Sequence, residues 1–161
     1  MSDAAPKVKT NVLRLLEGAG IPFDWFEYSV DDGRTDAVSV AEKIGADPEQ
    51  VFKTLVVTGA PRTYFVFVIP SVMSLDLKKA AKAAGQKFVE MLPQKELLPL
   101  TGYVHGGCSP IGQKRAFPTF IDETAQLHDR IYVSGGHVGL NIRIQPDALL
   151  EFVGASYADL T

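Results

Sequence analysis

Residues 51–69 read VFKTLVVTGAPRTYFVFVI and predict a hairpin of two strands near the middle of the chain. β-Branched and aromatic residues dominate 51–58 and 63–69, a composition typical of strands. Between them, Gly59-Ala60-Pro61-Arg62 supplies the residue types of a tight turn. No other part of the sequence predicts a hairpin as strongly.

The segments around the hairpin predict short helices and strands. Before it, apolar residues from Val8 to Leu16 recur at helical spacing until Gly18, a strand follows at 22–28, and a short helix covers 37–44. After the hairpin we expect a helix at 75–84 and short strands at 87–91, 102–105, 119–122, 130–133 and 141–144. Because strands and helices do not alternate regularly, the pattern favours an α+β domain over a doubly wound fold. Its strands would form a mixed β-sheet or barrel flanked by helices.

Length and composition indicate one domain. The chain has 161 residues, of which 46% are hydrophobic and 22% charged, so it can bury a core but is short for two typical domains. We therefore expect a single domain over 1–161. No apolar run approaches the roughly 18 residues of a membrane span. Met1–Pro6 lacks the apolar core of a secretion signal, so we expect a cytoplasmic protein that does not bind membranes.

The charge distribution limits nucleic-acid binding to a local surface. A net charge of −3 argues against a protein that binds DNA or RNA over its whole surface. Basic residues nevertheless gather in the middle of the chain, at Lys78, Lys79, Lys82, Lys87, Lys114 and Arg115. The lysines on or near the helix at 75–84 are either a solvated face or a surface that holds one RNA end.

Residues 106–112, Gly-Gly-Cys-Ser-Pro-Ile-Gly, predict a loop that brings main chain close to a ligand. Glycine removes the Cβ barrier, and Pro110 fixes one φ angle, so neighbouring N–H groups can converge on an anion or a polarised carbonyl. Such a loop stabilises an oxyanion without a catalytic side chain. The alternative is an ordinary tight loop after the strand expected at 102–105.

Lys53 is the strongest side-chain candidate. The strand period places Val51, Leu55 and Val57 on its own face, so its ammonium lies among apolar residues unless a partner or ligand binds it. Partial desolvation would lower its pKa. The alternative is a lysine that extends to solvent or protects a sheet edge. Thr54 is a second polar candidate beside it.

A second glycine-rich turn, Ser134-Gly135-Gly136-His137-Val138-Gly139, follows an apolar strand. Ser134 would supply a hydroxyl, although the segment is also typical of a plain hairpin turn. Tyr28, at the end of an early strand, either lines a pocket or packs in the core.

The single cysteine, Cys108, raises the question of a cysteine nucleophile. His105 lies three residues away along an extended chain, and no third group that would orient it is evident. We therefore expect packing or pocket lining for Cys108. One cysteine and three scattered histidines also predict no metal centre, and nothing in the sequence indicates a cofactor.

Several of these segments together resemble the YbaK/ProX family of aminoacyl-tRNA deacylases. The segment 107–112 carries the family's Gly-x-x-Pro-x-Gly motif, and Gln113-Lys114-Arg115 follows it as in the YbaK branch. Further similar segments occur in the same order at 51–55, 75–79, 89–91 and 131–136. The resemblance covers roughly residues 6–160, and it implies a mixed β-barrel flanked by helices.

The resemblance also implies roles for named residues. The lysine that matches Lys53 is implicated in binding the 3′-terminal adenosine of tRNA, and the two glycine loops would face each other across the pocket. The implied catalytic residues are Lys53, Gly107 and Gly112. The implied substrate-binding residues are Tyr28, Thr54, Ser109, Pro110, Ser134, Gly135 and Asn141. Asn141 departs from the branch, which has an aspartate there, and 31–37 lacks the branch's aromatic residue.

The resemblance implies a trans-editing hydrolase that cleaves the ester of a wrongly attached amino acid, most simply cysteine on tRNA(Pro). Its partners would be the 3′ acceptor end of an aminoacyl-tRNA and prolyl-tRNA synthetase. Alanine, serine and threonine remain alternative amino acids. Two other classes stay open: a module that binds aminoacyl-tRNA or a synthetase without cleavage, and a hydrolase of small esters or amides that uses Cys108.

Overall fold

The hairpin expected at 51–69 forms the middle of the protein in the computed structural model, which describes residues 5–161. Its strands span Phe52–Thr58 and Tyr64–Pro70 and pair antiparallel, from Phe52 opposite Pro70 to Thr58 opposite Tyr64. In the turn, the N–H of Thr63 donates to the carbonyl of Ala60 at 3.0 Å. The hairpin prediction is confirmed.

Eight strands and five α-helices lie within residues 5–161. The strands are β1 (Asp24–Glu27), β2 (Phe52–Thr58), β3 (Tyr64–Pro70), β4 (Glu90–Met91), β5 (Thr119–Asp122), β6 (Ile131–His137), β7 (Leu140–Ile144) and β8 (Ser156–Ala158). The helices are α1 (Asn11–Gly18), α2 (Ala37–Ile44), α3 (Leu77–Ala84), α4 (Leu97–Thr101) and α5 (Pro146–Val153).

The strands form two sheets of mixed direction. One has three strands in the order β1-β7-β6, and the other has five in the order β4-β2-β3-β5-β8. β5 runs parallel to both β3 and β8, whereas the remaining pairs are antiparallel. An isolated parallel bridge between Val51 and Tyr132 joins the two sheets. The α+β class with a mixed sheet is confirmed, but the strands do not close into a barrel.

The packing of the helices follows their apolar faces. A central cluster combines α1 with side chains from both sheets, and it includes the fully buried Ile111 of the glycine loop. A second cluster packs Ala80 and Ala81 of α3 against β2 and β3. A third cluster packs α2 against Val51 and Tyr132. The loop at 106–112 is therefore anchored in the core, and α2 and α3 cover the outer side of β2.

Side-chain caps fix the starts of three of these helices. Thr10, Asp36 and Asp76 accept hydrogen bonds from N–H groups in the first turns of α1, α2 and α3 respectively. Each cap satisfies an N–H group that has no partner within the helix. The first helix therefore begins at Asn11, which leaves Val8 outside it. The other two helices lie close to the predicted ranges.

Two strand predictions are wrong. Residues 102–105 form no strand because Gly102, at φ 86°, ends α4 in the left-handed region. The Thr101 hydroxyl then accepts from the N–H of Tyr103 at 3.1 Å and turns the chain. Of residues 87–91, only Glu90 and Met91 pair, with Thr58 and Val57. The sequence interpretation also missed α4, α5 and β8.

No helix in the described part of the chain combines the length and the apolar character needed to cross a bilayer.

Candidate active site

The loop at 106–112 leaves α4 through a tight turn and is held by its own polar groups. The N–H of Gly107 donates to the carbonyl of Val104 at 3.0 Å. The Ser109 hydroxyl accepts from the N–H of Ile111 at 3.1 Å, and the Gln113 amide donates to the Ser109 carbonyl at 3.0 Å. A loop fixed in this way is organised before a ligand arrives, which lowers the entropic cost of binding.

Tyr103 ties the same loop to the helix before it. Its hydroxyl donates to the carbonyl of Ile111 at 2.5 Å. Burial raises the pKa of Tyr103 to about 12, so the hydroxyl stays protonated and remains a donor at neutral pH. A Cβ at Gly112, where φ is 69°, would lie 3.2 Å from this hydroxyl oxygen. The glycine is therefore required both by its backbone conformation and by the tyrosine.

The free main-chain donors of this loop differ from the predicted set. We expected Gly107 and Gly112 to carry the catalytic N–H groups, but the N–H of Gly107 is already engaged with Val104. Within residues 5–161, the N–H groups of Cys108, Ser109 and Gly112 have no acceptor. Cys108 and Ser109 are buried, and a buried N–H without an acceptor is rare unless a ligand or water supplies one. Ser109 is fully buried, whereas Cys108 and Gly112 keep some exposed surface, so the latter two donors are suited to a polarised carbonyl oxygen.

The two glycine loops touch. A Cβ at Gly107 would lie 3.1 Å from the backbone nitrogen of Val138, so the absence of a side chain allows this close approach. In the second loop, the Ser134 hydroxyl accepts from the N–H of Gly136 at 3.0 Å. The carbonyl of Gly135 accepts from the Thr10 hydroxyl at 2.6 Å. The turn at 134–139 is thus fixed to α1 on one side and to the first loop on the other.

A row of side chains crosses the three-stranded sheet beside this contact. Register places Ser134 opposite Asn141, and Asn141 opposite Phe26. Val51 forms an isolated parallel bridge with Tyr132, and by strand alternation Lys53 and Ser134 each lie on the same face of their strand as the bridge residue two positions earlier. The row therefore contains three of the predicted site residues: Lys53, Ser134 and Asn141.

Lys53 is half-buried, and burial lowers its pKa. In the described chain no carboxylate lies within salt-bridge distance of its ammonium. A partly desolvated lysine without a counter-charge favours an anionic or polar ligand. Lys53 is therefore a candidate to bind an anionic or polar group of a ligand.

Asn141 lies opposite Phe26, and Tyr28 follows Phe26 by two residues at the same end of the row. The N–H of Tyr28 donates to the carbonyl of Gly139 at 2.9 Å, and burial raises the pKa of the Tyr28 phenol. Tyr28 and Gly139 line a cavity of about 400 Å³ together with Asp31 and His137. Asn141 is 6% exposed. Its neutral amide stands where the resembling branch carries a carboxylate.

Thr54 does not share the face of Lys53. Neighbouring strand residues point to opposite sides of a sheet, and Thr54 pairs with the buried Val68, which belongs to the central cluster. Its hydroxyl oxygen is buried without a hydrogen-bond partner in the described chain. Ser109 is fully buried and Pro110 is also buried, so both shape the loop rather than present a side chain at the surface.

Cys108 has the properties of a packed residue. It is 7% exposed, and burial raises the pKa of its thiol to about 12. A thiol that remains protonated is a weak nucleophile. His105 is exposed and forms no hydrogen bond to Cys108 among residues 5–161. The geometry therefore disfavours the hydrolase based on Cys108.

Two residues that organise the site were missed by the sequence interpretation. Tyr103 was assigned to a strand, and Gln113 was noted only as part of a motif. Gln113 follows the proline by three residues and spans the loop from Ser109 to Cys108, where its amide nitrogen lies 3.9 Å from the sulfur. Polar residues just after a glycine loop are the signal that would have indicated this role.

This fold and its two touching glycine loops define an aminoacyl-tRNA editing domain. Residues 32–152 match the family described as "Aminoacyl-tRNA editing domain", and the chain belongs to that family. It is 42% identical over 161 residues, 100% of this chain and 98% of the relative, to "Putative Cys-tRNA(Pro)/Cys-tRNA(Cys) deacylase EbsC" of Enterococcus faecalis (strain ATCC 700802 / V583). The expected YbaK-type resemblance is confirmed.

Solved structures agree with this membership. One described as "a putative trans-editing enzyme for prolyl tRNA synthetase" has 27% identity and a TM-score of 0.83, with 96% of this chain and 99% of that chain covered. Another, "hypothetical protein APE2540", has 23% identity and a TM-score of 0.84 over 92% of this chain and 97% of that chain. The second likeness concerns the fold alone.

Proposed function

We propose that this protein hydrolyses the ester between a wrongly attached cysteine and the terminal ribose of tRNA(Pro). The observation that carries the proposal is the fixed loop at 106–112, whose N–H groups at Cys108 and Gly112 lack acceptors in the described chain. The relative named as a Cys-tRNA(Pro)/Cys-tRNA(Cys) deacylase supports the choice of substrate.

The protein acts by positioning rather than by a nucleophile of its own. The N–H groups of Cys108 and Gly112 hold the ester carbonyl oxygen and stabilise the negative charge that develops on it. Lys53 anchors the terminal adenosine. Neither role needs the Cys108 thiol, which agrees with its burial and its raised pKa.

The substrate's own thiol supplies the nucleophile, as is thought for the resembling YbaK branch. Its sulfur forms a bond to the ester carbon while the carbon–oxygen bond to the ribose breaks. The thiol proton ends on the departing ribose oxygen. The cyclic thioester that results then takes up water and opens to free cysteine. Alanine and serine lack a thiol, so the same site would leave their esters intact.

Asn141 changes how the substrate's ammonium is held. An amide oxygen accepts a hydrogen bond from an ammonium but carries no charge, so this contact is weaker than one to a carboxylate. Glu27 and Asp31 line the cavity beside Tyr28 and are the alternative carboxylates on that cavity's wall. Prolyl-tRNA synthetase is the proposed partner that delivers the tRNA, an assignment supported by the name of one solved relative.

The test is the release of labelled amino acid from Cys-tRNA(Pro), beside Ala-, Ser- and Pro-charged tRNA(Pro), with wild type and Lys53→Ala. We expect rapid release of cysteine alone, reduced in the variant. Release of another amino acid would overturn the cysteine assignment. If the protein binds Cys-tRNA(Pro) but releases amino acid from none of these substrates, it is a binding module and not an enzyme.

A further inference from the structure

An exposed surface that is both apolar and basic lies where α3 meets the segment leading to β4. Phe88 is 64% exposed and Leu77 is 40% exposed. With Lys78, Lys82 and Lys87 they border a cavity of about 430 Å³. We call these five residues the α3 platform. A protruding aromatic side chain among cations is the arrangement with which proteins stack a base and hold its phosphates.

The positive charge of the α3 platform is not neutralised by the protein. Lys79, on the same helix, pairs with Asp159 at 3.0 Å. Lys78, Lys82 and Lys87 have no acidic partner within salt-bridge distance in the part of the chain that the structure describes. The whole chain carries a net charge of −3, so this concentration of free ammonium groups is local. It complements a polyanion.

The helix that carries the α3 platform packs on the strand that carries Lys53. Alternation along β2 puts Lys53, Leu55 and Val57 on one face, and Leu55 and Val57 pack in the same cluster as α3. Met91 of β4 lies opposite Val57. Lys53 and Val57, the strand residue on which α3 packs, are four residues or about 13 Å apart. A short single strand of RNA can span this distance.

We propose that the α3 platform binds the unpaired nucleotides that precede the 3′-terminal adenosine of a tRNA. Phe88 stacks on a base, and Lys78, Lys82 and Lys87 contact phosphates. The inference rests on the proposed function, because the terminal adenosine must lie at Lys53 for the preceding nucleotides to reach the platform. One protruding aromatic ring among free cations fits single-stranded RNA better than an acidic protein segment, which needs a larger continuous contact area.

The first test is the binding of a labelled, uncharged single-stranded RNA ending in CCA, followed by fluorescence anisotropy. We expect Phe88→Ala to weaken binding about 10-fold, in line with the loss of one base stack. The double variant Lys78→Ala/Lys82→Ala should reduce the salt dependence, with the slope falling by about 1.4 for two lost phosphate contacts. The controls are Leu127→Ala, at a position 80% exposed, and Lys9→Ala, which should bind within about 2-fold of wild type.

Equal binding by the platform variants and wild type would overturn the proposal. So would a wild type that binds no RNA, especially if the platform variants then lost affinity for prolyl-tRNA synthetase, the outcome expected of a protein-docking surface.

A second test separates this inference from the proposed function. Deacylation is compared on Cys-tRNA(Pro) and on the cysteinyl ester of adenosine alone. Platform variants should raise KM for the tRNA only, and equal effects on both substrates would contradict the platform's role. If wild type cleaves neither substrate while RNA binding still depends on Phe88, the reaction is refuted and the RNA surface stands.

Discussion

Lys53 is a partly buried cation of the candidate site, so its protonation should control nucleotide binding. Burial lowers its pKa from the ordinary value of 10.5, and the charged form is therefore lost at a lower pH than in a free lysine. Binding should be full at low pH and weaken as pH rises through the lowered pKa. The stability of the fold changes in the opposite direction, because deprotonation removes the cost of a partly buried charge.

The measurement for Lys53 is the affinity for uncharged tRNA as a function of pH. Lys53→Ala should weaken binding about 10-fold or more, the amount expected when a hydrogen bond to a charged group is lost. Lys53→Arg keeps its charge throughout and should abolish the alkaline decline. An unchanged pH profile in the arginine variant would show that another group titrates.

Cys108 should be dispensable for turnover despite its place in the glycine loop. Its thiol is buried, with a pKa raised to about 12, and the loop uses the main chain at this position. Cys108→Ala should therefore keep kcat/KM within about 3-fold of wild type and cost about 1 kcal/mol of stability for the small cavity. Activity assays beside thermal melts check this. An inactive variant with a normal melting temperature would instead support the hypothesis that Cys108 is the nucleophile.

Among the elements, the contact between the two glycine loops is the feature most sensitive to a small change. A Cβ at Gly107 would lie 3.1 Å from the nitrogen of Val138 and 3.3 Å from the carbonyl carbon of His137, both backbone atoms. Gly107→Ala should push the loops apart and reduce kcat/KM by about 10- to 100-fold, because small displacements of catalytic groups are costly.

Gly18→Ala is the matched control for Gly107→Ala. Gly18 ends α1, and no atom lies within 4 Å of the Cβ position there. The control should retain activity and stability. Kinetics and urea unfolding of both variants provide the comparison, and full activity of Gly107→Ala would mean that the loop contact does not position the ester.

How far the elements could be predicted depends on how local their signals are. The hairpin and α2 follow from residue patterns inside their own segments. The strand expected at 102–105 failed because Tyr103 and Val104 resemble a strand locally, whereas Gly102 ends a helix and the Thr101 hydroxyl turns the chain. α5 carried a readable signal, Pro146 at its start and Gly154 after its end, which was not used.

The candidate site was predictable by residue type but not by hydrogen-bond assignment. The glycine loops, Lys53 and Ser134 could be chosen from the sequence and its resemblance. The N–H of Gly107 donates to Val104 because a turn follows α4, and this turn leaves other donors of the loop free. The sequence alone did not indicate this turn. That Thr54 faces away from Lys53 follows from strand alternation, which could be applied to the sequence alone.

For the molecule as a whole, the placement of the site between two sheets matters more than any one contact. Lys53 belongs to the five-stranded sheet, whereas Ser134 and Asn141 belong to the three-stranded one. Within residues 5–161, Val51 and Tyr132 form the bridge between these sheets, and α2 packs over it.

Heating should therefore inactivate the protein before it melts. Each sheet is held by its own ladder of hydrogen bonds. The row from Lys53 to Asn141 crosses the junction between the two sheets, here called the seam, which is held by one bridge and by side-chain packing. Partial separation at this seam would move Lys53 away from Ser134 and Asn141 while both sheets stay folded. We expect activity to fall some degrees below the midpoint followed by circular dichroism, and coincident curves would show that the seam is as strong as the sheets it joins.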